Sequence, residues 1–127
     1  MAVCLDSSFL VDLLAGEAGA VTFTKALTEP VAISAVTFYE LLVGVRERRL
    51  LKQVEALAGE YSIVPADFDV CAMAATIQSR LSDEGRMIPA LDALIAATAV
   101  LAGIPLVSRD EHFSWIPRDF NLTVVGY

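Results

Sequence analysis

Short apolar runs alternate along this chain with longer stretches in which apolar residues recur every three or four positions. The short runs end at polar residues or proline and predict buried strands at residues 3–5, 31–33, 61–64 and 106–108, with a fifth at 122–125. The helical spacing predicts helices at residues 9–14, 18–27, 36–44, 47–58, 73–85 and 92–102. Strands that alternate with helices indicate an α/β fold, with a parallel sheet of four to five strands covered by helices on both faces.

The length of 127 residues predicts a single domain spanning residues 1–127, with one substantial core. The apolar fraction of 56% exceeds the roughly 45–50% usual for soluble domains, so part of the excess is expected on a surface that a partner covers. The longest charge-free apolar run, residues 93–103, is about half as long as a membrane span. These features predict a soluble, cytoplasmic protein without a membrane segment.

The net charge of −7 repels polyanions, so contact with nucleic acid would require a local basic patch or bound cations. The two cysteines, Cys4 and Cys71, lie in apolar contexts that predict buried free thiols. Because the chain has one histidine and no closely spaced cysteine pair, we exclude a zinc site.

Four acidic residues lie far apart in the chain but beside or within apolar segments. Asp6 follows the first strand and Asp110 the fourth, while Asp92 opens the last long helix and Glu40 lies within an earlier one. Functional groups of parallel α/β sheets gather at the carboxyl edge of the strands, so we expect these carboxylates to converge there. Clustered carboxylates repel one another and favour a bound Mg²⁺ or Mn²⁺, which prefers oxygen ligands. A water activated by such a metal favours hydrolysis of a phosphodiester.

Each acid also has an ordinary structural interpretation. Asp6, Asp92 and Asp110 stand where an aspartate would cap a helix, and taken singly each is more readily explained in that way. For Glu40 the alternative is a solvent-facing position on its helix. Asp12, on the first helix, is interpreted as a surface or salt-bridge residue rather than as a metal ligand.

The basic residues and the histidine leave their roles open. Arg86 and Arg109 lie near the predicted site and are favoured as contacts to the substrate or to the transition state. The arginines of segment 46–49, namely Arg46, Arg48 and Arg49, could contact phosphates, although a solvated helix face is slightly favoured. For His112, a structural or peripheral role is favoured over a proton shuttle.

Four segments match the motif pattern of a known family. They are Leu5-Asp6-Ser7-Ser8-Phe9-Leu10, Ser34 with Tyr39-Glu40-Leu41-Leu42, Leu91-Asp92-Ala93-Leu94-Ile95-Ala96 and Ser108-Arg109-Asp110-Glu111-His112-Phe113. In this order, and over nearly the whole chain, they resemble the PIN domain family, and in particular its VapC-type toxins. The resemblance implies a PIN-like three-layer α/β/α fold and an endoribonuclease that depends on Mg²⁺ or Mn²⁺ and acts as the toxin of a toxin–antitoxin pair.

The resemblance also implies roles for individual residues. The metal-binding catalytic acids would be Asp6, Glu40, Asp92 and Asp110. The polar supports would be Ser7, Ser34 and Ser108. Many relatives carry threonine at the position of Ser108, a change that keeps the hydroxyl. Some carry a further acid at the position of His112, so here a second metal would bind weakly.

The partners implied by the resemblance are an RNA substrate, a second copy of the chain in a homodimer, and a cognate antitoxin protein. A segment of the antitoxin would wrap an apolar groove, which would account for the excess of apolar residues. The candidate groove residues are Phe9, Leu13, Phe23, Leu27, Leu50, Leu51 and Val54.

Two other classes of protein remain as alternatives. One is a PIN-like binding module without catalytic activity, against which the intact set of four acids argues. The other is a phosphoacceptor receiver domain, which is also a Mg²⁺-binding α/β protein of this size. The receiver interpretation is disfavoured because the only lysines are Lys25 and Lys52, whereas such domains carry one near the end of the chain.

Overall fold

A computed structural model describes residues 2–127 of the chain, and its centre is a five-stranded sheet. The strands are β1 (Val3–Leu5), β2 (Val31–Ser34), β3 (Ser62–Val64), β4 (Leu106–Val107) and β5 (Val124–Val125). Their order across the sheet is β3-β2-β1-β4-β5, and every neighbouring pair is parallel. The predicted parallel sheet is therefore confirmed. Receiver domains have the order 2-1-3-4-5, so this topology rules out the receiver interpretation.

Six helices cover the sheet. They are α1 (Ser7–Leu14), α2 (Ala18–Ala26), α3 (Ala35–Val43), α4 (Arg48–Glu60), α5 (Phe68–Asp83) and α6 (Ala90–Ala102). Two short 3-10 helices follow β4, at Glu111–Trp115 and Arg118–Phe120. None of the helices within residues 2–127 is long and apolar enough to cross a membrane.

The alternation of side chains along β1 divides the interior into two cores. Val3 and Leu5 point to one face of the sheet, where they join the buried residues of α1, α3 and α4. Cys4 points to the other face and joins the buried residues of α5 and α6. All three strand residues are fully buried. The result is the three-layer α/β/α arrangement that the sequence predicted.

The end of α6 and the start of α3 use the chemistry expected from the sequence. Gly103 ends α6 with a left-handed φ of 66°, a conformation that glycine adopts without steric cost. Ser34 caps α3, because its Oγ accepts a hydrogen bond from the Val36 N–H at 3.1 Å. Gly103 thus fixes where α6 ends before β4, and Ser34 fixes where α3 begins after β2.

The prediction for the cysteines was half correct. Cys4 is buried in β1, and this burial raises the pKa of its thiol to about 12. Cys71 is exposed, because it lies on the outer side of α5, whose buried face consists of Val70, Ala74 and Ile77.

Candidate active site

The carboxyl edge of the sheet brings together parts of the chain that are about 100 residues apart. Asp6 directly follows β1, and Ser108 directly follows its neighbour β4. The Ser108 Oγ–H donates to Asp6 Oδ2 at 2.6 Å, a bond that closes the edge between the two strands. Glu40 reaches the same place from α3, and Asp92 reaches it from α6.

Asp6 is held by serine hydroxyls rather than by a helix terminus. Its Oδ2 accepts from Ser8 Oγ at 2.8 Å and from Ser108, and the side chain is 2% exposed. Asp6 stands at the N-cap position of α1, but its side chain makes no capping hydrogen bond. The capping interpretation of Asp6 was therefore wrong, because the strand edge supplies competing hydroxyl donors.

Glu40 faces the site from α3 and not the solvent. Its Oε1 accepts a hydrogen bond from Ser7 Oγ at 3.0 Å, and Ser7 directly follows Asp6 in the chain. Partial burial raises the pKa of Glu40, the Ser7 hydroxyl opposes that rise, and the charges of Asp6 and Asp110 add to it. Ser7 therefore orients Glu40 toward the other acids, as the predicted polar support would.

Asp92 is close enough to the other three acids for the charge of each to raise its pKa. It belongs to the first turn of α6 and is 8% exposed, and Pro89 occupies the N-cap position in its place. Burial raises the pKa of Asp92 to about 6, and the charges of Asp110, Asp6 and Glu40 add to the effect while His112 opposes it. The capping interpretation was wrong here as well, because α6 begins at Ala90.

Asp110 combines a capping role with a place in the cluster. Its Oδ1 accepts from the His112 N–H at 2.9 Å and so caps the 3-10 helix Glu111–Trp115. Its own N–H donates to Ser108 Oγ at 3.0 Å. The capping interpretation was therefore correct for Asp110. The cap uses Oδ1, so Oδ2 has no part in it.

His112 also lies within the cluster, although its sequence context predicted a peripheral position. Its Nδ1 lies 3.1 Å from Asp110 Oδ1 and 3.8 Å from Asp92 Oδ2. One ligand atom from each of these three residues lies within 4.8 Å of the others. His112 follows Asp110 by two residues, and the 3-10 helix that starts at Glu111 brings their side chains together. This spacing was the sequence feature that could have indicated the placement.

The imidazole of His112 lies beside Asp92 and Asp110 and partly offsets the rise in the pKa of Asp92. Within residues 2–127, neither lysine nor arginine forms an ion pair with Asp6, Glu40, Asp92 or Asp110. Burial is the main cause of the raised pKa values of Asp92 and Glu40, and the charges of the neighbouring acids raise them further. Converging oxygen ligands with uncompensated negative charge are what a divalent cation such as Mg²⁺ or Mn²⁺ requires.

Comparison with known proteins gives the family of this chain. A family model described as "PIN domain" matches residues 3–118. The chain belongs to the PIN domain family. Ribonuclease VapC5 of Mycobacterium tuberculosis is 30% identical over 129 residues, covering 95% of this PIN domain and 92% of that protein.

Solved structures show the same fold. The crystal structure of VapBC2 from Rickettsia felis bound to a DNA fragment from its promoter has a TM-score of 0.88 at 19% identity, covering 100% of this chain and 99% of that one. VapBC-5 from Mycobacterium tuberculosis, a member of the VapBC family of toxin–antitoxin systems, has a TM-score of 0.71 at 26% identity, covering 98% and 96%.

The two arginines predicted as substrate contacts have partners within the PIN domain. Arg109 Nε lies 2.7 Å from Asp12 Oδ2, and Tyr127 Oη–H donates to the same oxygen at 2.5 Å. Asp12 is therefore a salt-bridge residue, as the sequence suggested. Arg86 lies over the Trp115 ring, 5.4 Å from its centroid. Both arginines border the site, and neither contacts the four acids.

The arginines of segment 46–49 lie in the loop between α3 and α4 (Arg46) and at the start of α4 (Arg48 and Arg49). Arg46 donates from Nη1 to the Val43 carbonyl at 2.8 Å, so it satisfies the end of α3. Arg48 and Arg49 line a shallow exposed depression with Lys52. The solvated face favoured by the sequence describes Arg48 and Arg49, while Arg46 has a local structural role.

An apolar groove runs between α1, α3 and α4 and reaches the site at Glu40. Its cavity of about 410 Å³ is lined by Val11, Leu14, Ala15, Glu40, Leu41, Gly44, Leu50 and Val54. Two of the predicted groove residues, Leu50 and Val54, are among them. Phe9 was wrong, because it is fully buried and packs edge-on against Phe23 and Tyr127.

Proposed function

We propose that this PIN domain is a metal-dependent endoribonuclease that hydrolyses RNA phosphodiester bonds and acts as the toxin of a toxin–antitoxin pair. The observation that carries the proposal is the buried Asp92 carboxyl, whose pKa three further acids help to raise. Asp92 is the one charged residue among the buried residues described for α6, and its side chain does not cap the helix. A buried charge without a compensating partner costs stability, which points to a functional reason for keeping it.

Asp6, Glu40, Asp92 and Asp110 are the residues that would hold Mg²⁺ or Mn²⁺. Such an ion, when bound, lowers the pKa of a coordinated water and neutralises charge on the phosphate oxygens. The protein's own contribution is orientation. Ser8 and Ser108 fix Asp6 and Ser7 fixes Glu40, so two of the acids hold their direction before any ligand arrives.

The substrate must approach a protein whose net charge is −7. Repulsion of the phosphate backbone is weakest where a cation offsets the acids, which directs the scissile phosphate to the carboxyl edge. The exposed guanidinium of Arg109 lies at this rim, and Asp12 and Tyr127 hold it in place. Arg86, stacked on Trp115, provides a second fixed positive charge near the site.

The names of the relatives support the choice of RNA and of a protein partner. The matched relative VapC5 is named a ribonuclease, and the structure of VapBC-5 belongs to a toxin–antitoxin system. An antitoxin segment would occupy the apolar groove between α1, α3 and α4. Val11, which lines this groove, is 50% exposed, and Leu42 of α3 is 47% exposed. Because Glu40 lines the same groove, an occupant could also reach the site and inhibit it.

The test of activity uses purified protein and a mixture of structured and unstructured RNA. We expect cleavage with Mg²⁺ or Mn²⁺, no cleavage with chelator, and loss of cleavage in Asp6→Asn and in Asp92→Asn. Asp119→Asn is a matched control, because Asp119 lies on the surface in a salt bridge with Arg80. Cleavage that persists undiminished in both site variants would refute the assignment.

The inactive binding module makes the opposite prediction for the metal. Calorimetric titration of Mn²⁺ into the wild-type protein should release or absorb heat with a saturable isotherm, and Asp92→Asn should abolish it. Absence of Mn²⁺ binding together with absence of RNA cleavage would favour the binding module.

A further inference from the structure

We infer that His112 is a direct ligand of the metal ion, so that the ion is held by the mixed set Asp92, Asp110 and His112. This inference rests on the metal site of the proposed function and adds a nitrogen ligand to it. The purely acidic site predicted from the sequence would contain oxygen ligands alone. A histidine ligand changes which ion the site prefers, so the difference has a chemical consequence.

The distances agree with three ligands on one ion. Neighbouring ligands in octahedral coordination at about 2.1 Å from a metal lie about 3 Å apart. His112 Nδ1 lies 3.1 Å from Asp110 Oδ1 and 3.8 Å from Asp92 Oδ2. All three ligand atoms lie within 4.8 Å of one another, so small side-chain movements suffice to place them around one ion.

A backbone hydrogen bond and a ring contact restrict His112. The backbone N–H of His112 donates to Asp110 Oδ1, which sets the start of the 3-10 helix. The ring packs edge-on against Trp115, with centroids 4.8 Å apart and planes inclined by 74°. Arg86 covers Trp115 in turn. The packing on Trp115 and the turn set by Asp110 thus hold the ring with its Nδ1 beside the two acids.

The competing explanation is that Nδ1–H simply donates a hydrogen bond to Asp110. The two arrangements differ in their metal chemistry. Oxygen ligands alone suit Mg²⁺ and Mn²⁺ alike, whereas imidazole is a poor ligand for Mg²⁺ and a good one for transition ions. Direct ligation therefore predicts that the site binds Mn²⁺ more tightly than Mg²⁺, and that this preference depends on His112.

The spectroscopic test uses the fact that His112 is the only histidine of the chain. Protein prepared without a polyhistidine tag is loaded with Mn²⁺ and studied by electron spin echo modulation, which detects nitrogen bound to the ion. We expect modulation from a coordinated imidazole ¹⁴N, and its replacement by the ¹⁵N pattern when the protein is made with ¹⁵N-histidine. Bound Mn²⁺ without imidazole coupling, or no bound Mn²⁺, would overturn the inference.

Two variants test the consequence for affinity. His112→Phe keeps an aromatic ring against Trp115 but removes the nitrogen, and we expect Mn²⁺ binding about tenfold weaker or worse by calorimetry. His112→Asp restores an oxygen ligand, and we expect the ratio of Mn²⁺ to Mg²⁺ affinity to fall toward unity. Unchanged affinities and an unchanged ratio in both variants would contradict direct ligation.

These measurements need no RNA, so they are separable from the proposed function. Imidazole coupling without RNA cleavage would refute the nuclease and leave His112 as a metal ligand. RNA cleavage that depends on metal, without imidazole coupling, would leave the nuclease in place and refute the role of His112.

Discussion

Asp92 is expected to lower the stability of the metal-free protein, although it belongs to the proposed metal site. Burial and three neighbouring carboxylates raise its pKa to about 6 from an ordinary value of 3.8. In the metal-free protein, the folded state therefore binds more protons than the unfolded state between those two values. Stability then falls as pH rises from about 4 to 6, and the full cost is present at neutral pH.

We predict that metal-free Asp92→Asn is more stable than the wild type above pH 6 and equally stable below about pH 4. The pKa shift corresponds to about 3 kcal/mol for a fully buried charge, and screening at the open edge of the sheet reduces our expectation to about 1–2 kcal/mol. Urea unfolding with chelator at several pH values measures the difference. A variant less stable than the wild type at pH 7 would contradict this account.

Asp119→Asn supplies the control with the opposite sign. The Arg80 guanidinium holds the pKa of Asp119 below its ordinary value, so the charged form is favoured in the folded state. Its contribution to stability is present at neutral pH and is lost as pH falls through the folded-state pKa. This variant should therefore be slightly less stable than the wild type at pH 7.

At the residue scale, the sequence predicted the acids and two of the serines that bond to them, but not the position of His112. Asp6, Glu40, Asp92 and Asp110 were recognisable because a carboxylate beside an apolar run needs an explanation. His112 gave no such signal, since its position depends on a 3-10 turn. The metal-binding roles of the four acids stay predictions until a metal is measured.

The helix α6 illustrates how an element carries the site. Its buried positions are mostly alanine, and small side chains let it pack closely against α5 and the sheet. This close packing holds the first turn, and with it Asp92, at the sheet edge. The sequence predicted a helix enclosed on several sides, because the pattern is apolar nearly all round.

Overpacking this helix should therefore be costly. We predict that Ala96→Leu, at a fully buried position of α6, lowers the free energy of unfolding by about 1–3 kcal/mol. Ala75→Leu makes the same change at an exposed position of α5 and should have little effect. Thermal and urea unfolding compare the two, and equal stability of both variants would show that α6 is less tightly enclosed than described.

A second element-scale feature is the cluster that ties the end of the chain to α1. Tyr127 Oη–H donates to Asp12, which also pairs with Arg109 beside the site. We predict that Tyr127→Phe lowers the free energy of unfolding by about 1 kcal/mol, because it removes a hydrogen bond to a charged group while the packing on Phe9 remains. The matched control is Tyr39→Phe, at a residue that is 58% exposed.

Element boundaries were predicted less well than element types. The helix α5 begins at Phe68, well before the first residue of the predicted apolar stripe at Met73. Asp67 provides the missed signal, because its side chain accepts from the Val70 N–H at 3.0 Å and caps the helix. The apolar spacing did not reveal this start, because apolar residues such as Phe68, which is 83% exposed, do not belong to the buried face of α5.

For the whole molecule, the sequence predicted the fold class and the family, and both are confirmed. The order of the strands was not predictable from local patterns, because it depends on which distant segments pair. The single domain, the cytoplasmic location and the homodimer stay predictions. The existence of an apolar groove was predicted, but most of its lining residues were not, because they depend on how α1, α3 and α4 pack together.

Metal binding should stabilise the whole fold. A ligand that binds the folded state alone raises the free energy of unfolding by about 2.7 kcal/mol at one hundred times its dissociation constant. We predict that saturating Mn²⁺ raises the melting temperature of the wild type, that chelator reverses the rise, and that Asp92→Asn shows none. An equal rise in the variant would place the bound ion elsewhere on the protein.

The bond between Ser108 and Asp6 also has a consequence for the newly synthesised chain. The two strands that precede these residues are neighbours in the sheet, yet β1 is synthesised about 100 residues before β4. A chain interrupted before residue 106 has Asp6, Glu40 and Asp92 but lacks the strand that closes the sheet beside them. In the proposed nuclease, RNA cleavage would therefore begin only after the segment that carries β4, Ser108 and Asp110 has been synthesised.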